Sequence, residues 1–340
     1  MRAGWRQVVG VLTILALQSC TQAGEAERAA STASSTSPVV STSTTGSSGT
    51  ETAEPPEPEL LLHEGPINHA RLQTVVIANM KVTNPDGDCI NITGVRQVII
   101  RNSEIGPCGG RAVEIRNSSN VTIEDTKFLE SAAGVYVLRS EGVQIRGNTF
   151  TSTGRNPIQF DKVTGAGNAI TDNVILNENG NDETEDSINI FMSGGLPDDP
   201  LVVARNVIEG GGSSTTGSGI IIGDAGGSNT VVESNLLIDP GQVGIGVAGG
   251  ANITVRGNTV FAGAHPWSNV GIYVWNQADG PCGQIRVEGN VVEFYNSAGE
   301  LSTFFDGENC GVIEGWDANS TVTDLEGRLE ELRRELLGRS

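Results

Sequence analysis

Short runs in which hydrophobic and polar residues alternate recur along the chain at intervals of 22 to 33 residues. The run from Val143 to Phe150, VQIRGNTF, is nearly repeated from Ile253 to Val260, ITVRGNTV. Alternation over a few residues is typical of a short strand with one buried face. A repeat of this length is typical of a solenoid, whose units bury their apolar faces only against one another.

A polar residue holds the same place in each of these runs. The position is occupied by Ser103, Thr126, Asn148, Asn173, Asn206, Asn235, Asn258 and Asn290. An asparagine side chain at an inward turn can hydrogen-bond the backbone of the next coil. We therefore interpret the series as structural and assign it no catalytic role.

Each repeat holds a second alternating run before the asparagine run. Alignment of these runs puts their central outward residues in one column: Asn91, Glu114, Tyr136, Gln159, Asn189, Ile221, Gly246 and Tyr273. The column two residues later reads Thr93, Arg116, Leu138, Asp161, Phe191, Gly223, Ala248 and Trp275. The column two residues earlier is small: Cys89, Ala112, Gly134, Pro157, Ser187, Gly219, Gly244 and Gly271. Small residues there predict either a shallow outer trough for a polymer or tight turns into the strand.

Two or three short strands in each repeat, with glycine and asparagine at the corners, predict an all-β solenoid, a single-stranded parallel β-helix, over residues 60–320. From about Thr74 to Val292 the chain resembles the right-handed parallel β-helix repeat proteins of the pectate-lyase-like superfamily. That superfamily includes polysaccharide lyases, glycoside hydrolases, sugar epimerases and phage tailspikes. The resemblance therefore implies a right-handed coil and a carbohydrate ligand but no particular reaction.

The end of the chain has a different period. Leu325, Leu329, Leu332 and Leu336 fall on one face of a helix, which predicts a short amphipathic C-terminal helix within residues 321–340. Such a helix either shields the open end of a solenoid or forms a coiled-coil seam with another chain.

The start of the chain predicts export. Residues 1–20 read as a lipoprotein signal peptide, with Arg2 and Arg6 before an apolar run and Cys20 as the lipidated residue of a lipobox. Gln18 is unusual in a lipobox, which leaves an ordinary secretory signal as the alternative. Residues 21–59 are rich in Ser, Thr and Pro, and we expect a disordered tether there.

Four further cysteines fit an exported chain. Their proximity in sequence predicts the disulfides Cys89–Cys108 and Cys282–Cys310, each about one repeat in span. The formal net charge is -20, which argues against nucleic acid and anionic lipid as partners. We expect a monomer whose only membrane contact is the lipid anchor.

Candidate catalytic groups lie in the aligned outward columns and beside them. Asp161, Asp186, Arg116 and Asp88 are the candidates, because hydrolysis of a glycosidic bond uses two carboxylates and a lyase uses a base beside a cation. The stretch Asp86-Gly87-Asp88-Cys89 resembles the Asp-Asp-Cys stretch of polygalacturonases. The remaining polygalacturonase motifs are missing from this sequence, which puts that particular activity in doubt.

Candidate binding groups complete the picture. The substrate-binding candidates are Glu114, Tyr136, Gln159, Asn189, Tyr273 and Trp275. The acidic run with Asp182, Glu183 and Glu185 offers oxygen ligands for calcium, the candidate cofactor. His265 is an alternative base, although a lone histidine is more often structural.

These observations predict an exported, membrane-tethered β-helix that acts on or binds polysaccharide as a lyase or hydrolase. The rival interpretation is a non-catalytic glycan-binding or structural surface lipoprotein. A tailspike or adhesin module is disfavoured by the lipobox and by the absence of a long trimerisation sequence.

Overall fold

The computed structural model describes residues 59–180 and 184–337, which form 28 strands, one α-helix and two short 3-10 helices. The first ten strands are β1 (Leu61–Glu64), β2 (Ile67–Ala70), β3 (Thr74–Ala78), β4 (Met80–Asn84), β5 (Ile90–Thr93), β6 (Gln97–Arg101), β7 (Glu104–Arg116), β8 (Ser119–Glu124), β9 (Lys127–Leu138) and β10 (Glu141–Arg146). The next nine are β11 (Thr149–Thr153), β12 (Ile158–Asp161), β13 (Ala169–Thr171), β14 (Val174–Leu176), β15 (Asp186–Gly194), β16 (Leu201–Ala204), β17 (Val207–Glu209), β18 (Ser218–Glu233) and β19 (Leu236–Ile238). The last nine are β20 (Val243–Val247), β21 (Gly250–Arg256), β22 (Thr259–Ala262), β23 (Val270–Val274), β24 (Cys282–Glu288), β25 (Val291–Phe294), β26 (Phe304–Asp306), β27 (Ile313–Glu314) and β28 (Ser320–Thr321). The 3-10 helices are Trp316–Ala318 and Glu326–Arg328, and α1 is Leu329–Leu337.

Every pairing between these strands is parallel and joins strands of successive coils, which produces three sheets. Sheet A contains β2, β5, β12, β15, β20, β23, β26, the second halves of β7 and β9, and the first half of β18. Sheet B contains β3, β6, β8, β10, β13, β16, β21, β24, β27 and the second half of β18. Sheet C contains β1, β4, β11, β14, β17, β19, β22, β25, β28 and the first halves of β7 and β9. The predicted right-handed parallel β-helix is confirmed.

Alternation along each strand determines which side chains enter the core. Ile90 and Ile92 are at most 1% exposed, whereas Asn91 between them points outward and is partly exposed. Burial of one such isoleucine stabilises the fold by roughly 1.5–3 kcal/mol, so each coil contributes through many small aliphatic contacts. The register of sheet A pairs Asn91 with Glu114 and Gln159 with both Tyr136 and Asn189. The central outward column that the sequence predicts is therefore confirmed.

The next outward column differs at one position. Gly223 is bulged out of register with a φ of 68°, and Asp224 instead pairs with Phe191. A Cβ at Gly223 would lie 2.0 Å from the carbonyl oxygen of Gly249, so only glycine fits there. The expectation of Gly223 in this column is wrong, and the bulge puts a carboxylate on the face of sheet A.

The predicted trough of small residues is also wrong. A Cβ at Gly219, Gly244 or Gly271 would collide with a core side chain (Leu237, Val260 and Val292, respectively). These glycines therefore face the interior, where sheet A approaches sheet C. The alternative of tight turns does not describe them either, because they lie within β18, β20 and β23 without a left-handed φ; close packing of sheet A on sheet C requires their small size.

The asparagine series forms a continuous buried ladder. Both the backbone N–H and the Nδ2 of Asn148 donate to Oδ1 of Asn173, at 3.1 and 3.0 Å, and its Nδ2 also donates to the carbonyl of Ile123 at 2.9 Å. The same pattern continues to Asn290, and Asn319 extends it by one coil. The ladder satisfies backbone groups that the turn would otherwise bury unpaired.

Both predicted disulfides, Cys89–Cys108 and Cys282–Cys310, are present, and each joins neighbouring coils. Helix α1 packs on the side of the solenoid beside β19, three coils before β28. Leu332 and Leu336 of the helix line a hollow together with Leu236. Arg333 Nη1 lies 2.8 Å from Glu209 Oε2 and fixes the helix there. This lateral position is not the end cover that the sequence suggests.

The predicted lipoprotein signal, Cys20 and the tether up to residue 58 lie outside the described residues. Within the described ranges, no helix combines the length and apolar character needed to cross a membrane.

Candidate functional site

A cleft of about 390 Å³ opens on the outer face of sheet A across β9, β12, β15 and β18. Its lining combines two arginines, three carboxylates and several amide side chains. The lining residues are Arg111, Ala133, Tyr136, Arg155, Asn156, Gln159, Glu185, Asp186, Asn189, Phe191, Thr216, Ile221, Asp224 and Gln277. Of the residues proposed from the sequence for catalysis or substrate binding, Tyr136, Gln159, Asp186 and Asn189 line it.

Two carboxylates and an amide lie in the centre of the cleft. Asn189 Nδ2 donates to Asp186 Oδ2 at 2.8 Å, and Asp224 lines the same cleft, where the Asn189 side chain lowers the pKa of its carboxyl group. The backbone N–H of Ser218 donates to the other oxygen of Asp186 at 2.9 Å, which fixes this carboxyl between two coils.

Burial makes Asp186 an unusual acid. The residue is 6% exposed, and loss of solvation raises its pKa from 3.8 to about 7. The charges of Glu185 and Asp224 raise the pKa further, while the hydrogen bonds from Asn189 and Ser218 oppose the shift. Burial also raises the pKa of Asp224, as does the charge of Glu185. The cleft therefore holds a carboxyl group that takes up and releases a proton near neutral pH.

Tyr273 closes one side of this acidic centre. Gly246, its neighbour in the preceding coil, leaves room for the ring, because a Cβ there would lie 2.6 Å from Tyr273 Cζ. Gln277 lines the cleft and donates from Nε2 to the tyrosine hydroxyl at 2.9 Å. Tyr273 is 6% exposed, and burial together with the charges of Asp186 and Asp224 raises its pKa above the ordinary value.

Three residues proposed from the sequence converge on Arg111 at the other end of the cleft. Asp88 Oδ1 accepts the backbone N–H of Arg111 at 2.7 Å, and Glu114 Oε2 accepts from its guanidinium at 2.7 Å. The guanidinium carbon lies 4.6 Å from the centre of the Tyr136 ring. Asp88 and Glu114 thus position an arginine that sequence reasoning missed, and Asp88 itself does not line the cleft.

Asp161 and Arg116 lie further along the same strands. The Tyr136 hydroxyl donates to Asp161 Oδ2 at 2.7 Å, and Lys162 Nζ lies 3.4 Å from Asp161 Oδ1. Arg116 is ion-paired with Glu114. Neither Asp161 nor Arg116 lines the cleft, although Asp161 accepts a hydrogen bond from Tyr136, which does line it.

The proposed calcium ligands fall partly outside the described residues. Asp182 and Glu183 are not described. Glu185 Oε2 accepts from Arg155 Nε at 2.6 Å, so this carboxylate is ion-paired. Within residues 59–180 and 184–337, no group of three His, Cys, Asp or Glu side chains has the arrangement of a metal site.

The remaining candidates lie away from the cleft centre. Trp275 is 46% exposed on sheet A, beyond Tyr273. His265 Nε2 lies 2.9 Å from Asp239 Oδ1, and its ring stacks on Trp267 with the ring centres 5.2 Å apart. Asn179 Nδ2 approaches the same His265 nitrogen at 3.2 Å, so this histidine joins turns from distant coils.

The most important residue that sequence reasoning missed is Asp224. Its signal is Gly223 directly before it, since a glycine inside a strand often marks a bulge. Arg111 follows Gly109 and Gly110, and a Cβ at Gly110 would lie 2.2 Å from Asp88 Oδ1. Glycines beside charged residues thus point to both missed groups.

These features define a coiled β-solenoid with a polar, ligand-sized cleft on one sheet. The sequence matches the family described as right-handed β-helix region over residues 67–211 and 198–292, more than half of the chain. The chain belongs to this family. No curated protein sequence matches it.

Several solved structures share the fold at low identity. An alginate lyase from Paenibacillus sp. has 15% identity and a TM-score of 0.40, over 73% of this chain and 97% of that one. A lacto-N-biosidase from Eubacterium ramulus has 11% identity and a TM-score of 0.39, over 77% and 60%. The A-module of a mannuronan C-5 epimerase from Azotobacter vinelandii has 14% identity and a TM-score of 0.28, over 76% and 89%. These values are too low to transfer an activity to this chain.

Proposed function

We propose that the chain is an exported glycan hydrolase in which Asp186 is the general acid and Asp224 is its partner carboxylate. The observation that carries the proposal is the pair itself: one buried carboxyl with a pKa of about 7, hydrogen-bonded to Asn189, lines the same cleft as a second carboxylate whose pKa is also raised. Glycosidases use two carboxyl groups in different protonation states for acid and nucleophilic or base roles. The two disulfides support export, because such bonds persist in oxidising compartments.

The proposed scheme proceeds through a covalent intermediate. Retaining enzymes hold their carboxyl groups about 5–5.5 Å apart and inverting enzymes about 6.5–9.5 Å apart, so the anomeric configuration of the product tests this scheme. Asp224 attacks the anomeric carbon while Asp186 gives its proton to the departing glycosidic oxygen. Water then releases the sugar from Asp224 and returns a proton to Asp186, so the enzyme is regenerated.

The arginines at the cleft serve binding in this scheme. Arg111 is fixed by Asp88, Glu114 and Tyr136, and Arg155 is ion-paired with Glu185. Both guanidinium groups offer hydrogen bonds to sugar hydroxyl or carboxylate groups. The lyase alternative uses the same arginines against a uronate carboxylate and leaves an unsaturated product end.

The test is incubation of the full chain with a panel of neutral and uronate-containing polysaccharides, with and without calcium. New reducing ends measure cleavage, and absorbance of unsaturated ends separates a lyase from a hydrolase. We expect reducing ends without unsaturation, lowered about 100-fold or more in Asp186→Asn and Asp224→Asn. The matched control is Asp125→Asn, an exposed aspartate outside the cleft.

Three outcomes contradict the proposal in different ways. Unsaturated ends would establish a lyase instead. Cleavage that survives both substitutions would remove the carboxylate pair from the mechanism. Binding without any cleavage would support the non-catalytic alternative, a glycan-binding or structural surface protein.

A further inference from the structure

Sheet A carries two exposed aromatic rings beyond the cleft, toward the C-terminal end of the solenoid. Trp275 is 46% exposed and Phe305 is 50% exposed. Phe305 pairs in register with Tyr273, and Trp275 follows directly after β23. Large aromatic side chains on an outer sheet face lose favourable burial unless a ligand covers them.

The ring of Trp275 lies against the sheet because the neighbouring residue in the next coil has no side chain. Gly307 lies beside it in the next coil, and a Cβ there would be 2.5 Å from Trp275 Cδ1 and 2.8 Å from Cγ. Gly307 donates its backbone N–H to the carbonyl of Val274, which locks this register. The indole therefore packs on the backbone of the next coil and keeps nearly half of its surface open to solvent.

The two rings continue the face on which the cleft lies. The central outward column runs from Asn189 through Ile221, Gly246 and Tyr273 to Phe305. Coils of parallel strands are about 4.8 Å apart, so Phe305 lies about 19 Å from Asn189 along the column. Gln277 links the two regions, because it lines the cleft and donates to the Tyr273 hydroxyl.

We propose that Trp275 and Phe305 form a second binding site, for pyranose rings of a polysaccharide chain whose reacting bond lies at Asp186. The C–H face of a pyranose ring packs on an aromatic face, and a chain that follows sheet A from the cleft reaches both rings. This inference deepens the proposed function and rests on it for the position of the reacting bond. The polymeric nature of the substrate follows, because a disaccharide in the cleft does not extend to Phe305.

The test is affinity electrophoresis of the full chain through gels that contain polygalacturonate, alginate, xylan or β-glucan. The Asp224→Asn background is included because binding then proceeds without cleavage. We expect retardation in at least one gel, and a dissociation constant about 10-fold larger in Trp275→Ala and in Phe305→Ala. Trp275→Phe keeps a ring and should restore part of the retardation. The control is Val312→Ala, an 85% exposed apolar residue in the last coils outside sheet A.

The outcomes separate this site from the catalytic proposal. Retardation that depends on Trp275 and Phe305 without release of reducing ends would support the binding site and contradict hydrolysis. Cleavage that is lost in Asp186→Asn, with retardation unchanged in both aromatic variants, would overturn the binding site alone. Absence of retardation in every gel would overturn it as well. A sedimentation mass that falls from dimer to monomer in Trp275→Ala would assign the rings to a second copy of the chain and also overturn the proposal.

Discussion

At the scale of single residues, Asp186 shows how much of the site can be predicted from the sequence. Its motif, Asp186-Ser187-Ile188-Asn189, nearly repeats Asp88-Cys89-Ile90-Asn91 of an earlier coil, and both motifs include an asparagine of the outward column. Both aspartates accept a backbone N–H from the next coil, Asp88 from Arg111 and Asp186 from Ser218, but only Asp186 is buried, with the charges of Glu185 and Asp224 close by. Nearly identical local sequences do not reveal burial, because burial depends on which side chains the neighbouring coils supply.

The raised pKa of Asp186 predicts a particular dependence of stability on pH. The folded chain retains a proton between about pH 4 and pH 7 that the unfolded chain releases, because the pKa is 3.8 in the ordinary state and about 7 here. The free energy of unfolding therefore falls as the pH rises through this window, by up to about 4 kcal/mol from this group. Asp186→Asn cannot ionise, so its stability relative to wild type should rise by a similar amount over the same window.

Denaturant unfolding of both proteins at about pH 4 and about pH 8 measures this difference. Asn189 tolerates the new amide, because its Oδ1 has no hydrogen-bond partner among the described residues and can accept from it. Asp125→Asn is the control and should show no such change. A stability difference between Asp186→Asn and wild type that is constant with pH would mean that Asp186 is ionised at neutral pH.

At the scale of the elements, the repeat predicts the strands of sheets A and B and the asparagine ladder, because both follow from a period of two and a fixed corner residue. The bulge at Gly223 lies outside that rule. It adds one residue to β18 and replaces an expected glycine by Asp224 on the outer face. Contacts between turns are equally hard to predict from the sequence. Asn179 approaches His265 across several coils, and nothing in the local sequence of either turn indicates this contact.

The ladder predicts a large loss of stability when one member is removed. Asn206 Oδ1 accepts from the backbone N–H and Nδ2 of Asn173, and its Nδ2 donates to Ile170 and Asn235. Asn206→Ala leaves several buried polar groups without partners, at about 1–3 kcal/mol each, so we expect a loss of roughly 3–5 kcal/mol.

The matched control for the ladder is Asn91→Ala in sheet A. Asn91 makes one solvent-exposed side-chain hydrogen bond, to Asn68 Oδ1 at 3.2 Å, and its loss should cost less than about 1 kcal/mol. Chemical denaturation of both variants gives the comparison. Equal losses would show that the ladder does not stabilise the coil stack.

At the scale of the whole molecule, the three sheets have different roles. Sheet B and its turn into sheet C carry the uniform ladder, whereas sheet A changes its outward side chains from coil to coil. Arginines lie toward the N-terminal coils, the carboxylates lie in the middle, and the exposed aromatic rings lie toward the C-terminal coils. This order gives one extended face with a polar cleft at its centre, and the period of the solenoid sets the spacing between its parts.

The pH dependence of kcat/KM on the polysaccharide that the chain cleaves tests the central claim most directly. With Asp186 as a general acid of pKa about 7, activity should decline above about pH 7 as this carboxyl loses its proton. Activity should also decline at low pH, where the partner carboxylate becomes protonated, and Asp186→Asn should be about 100-fold or more below wild type. If kcat/KM did not decline between about pH 6 and pH 9, or if the same decline remained in Asp186→Asn, the account would be contradicted.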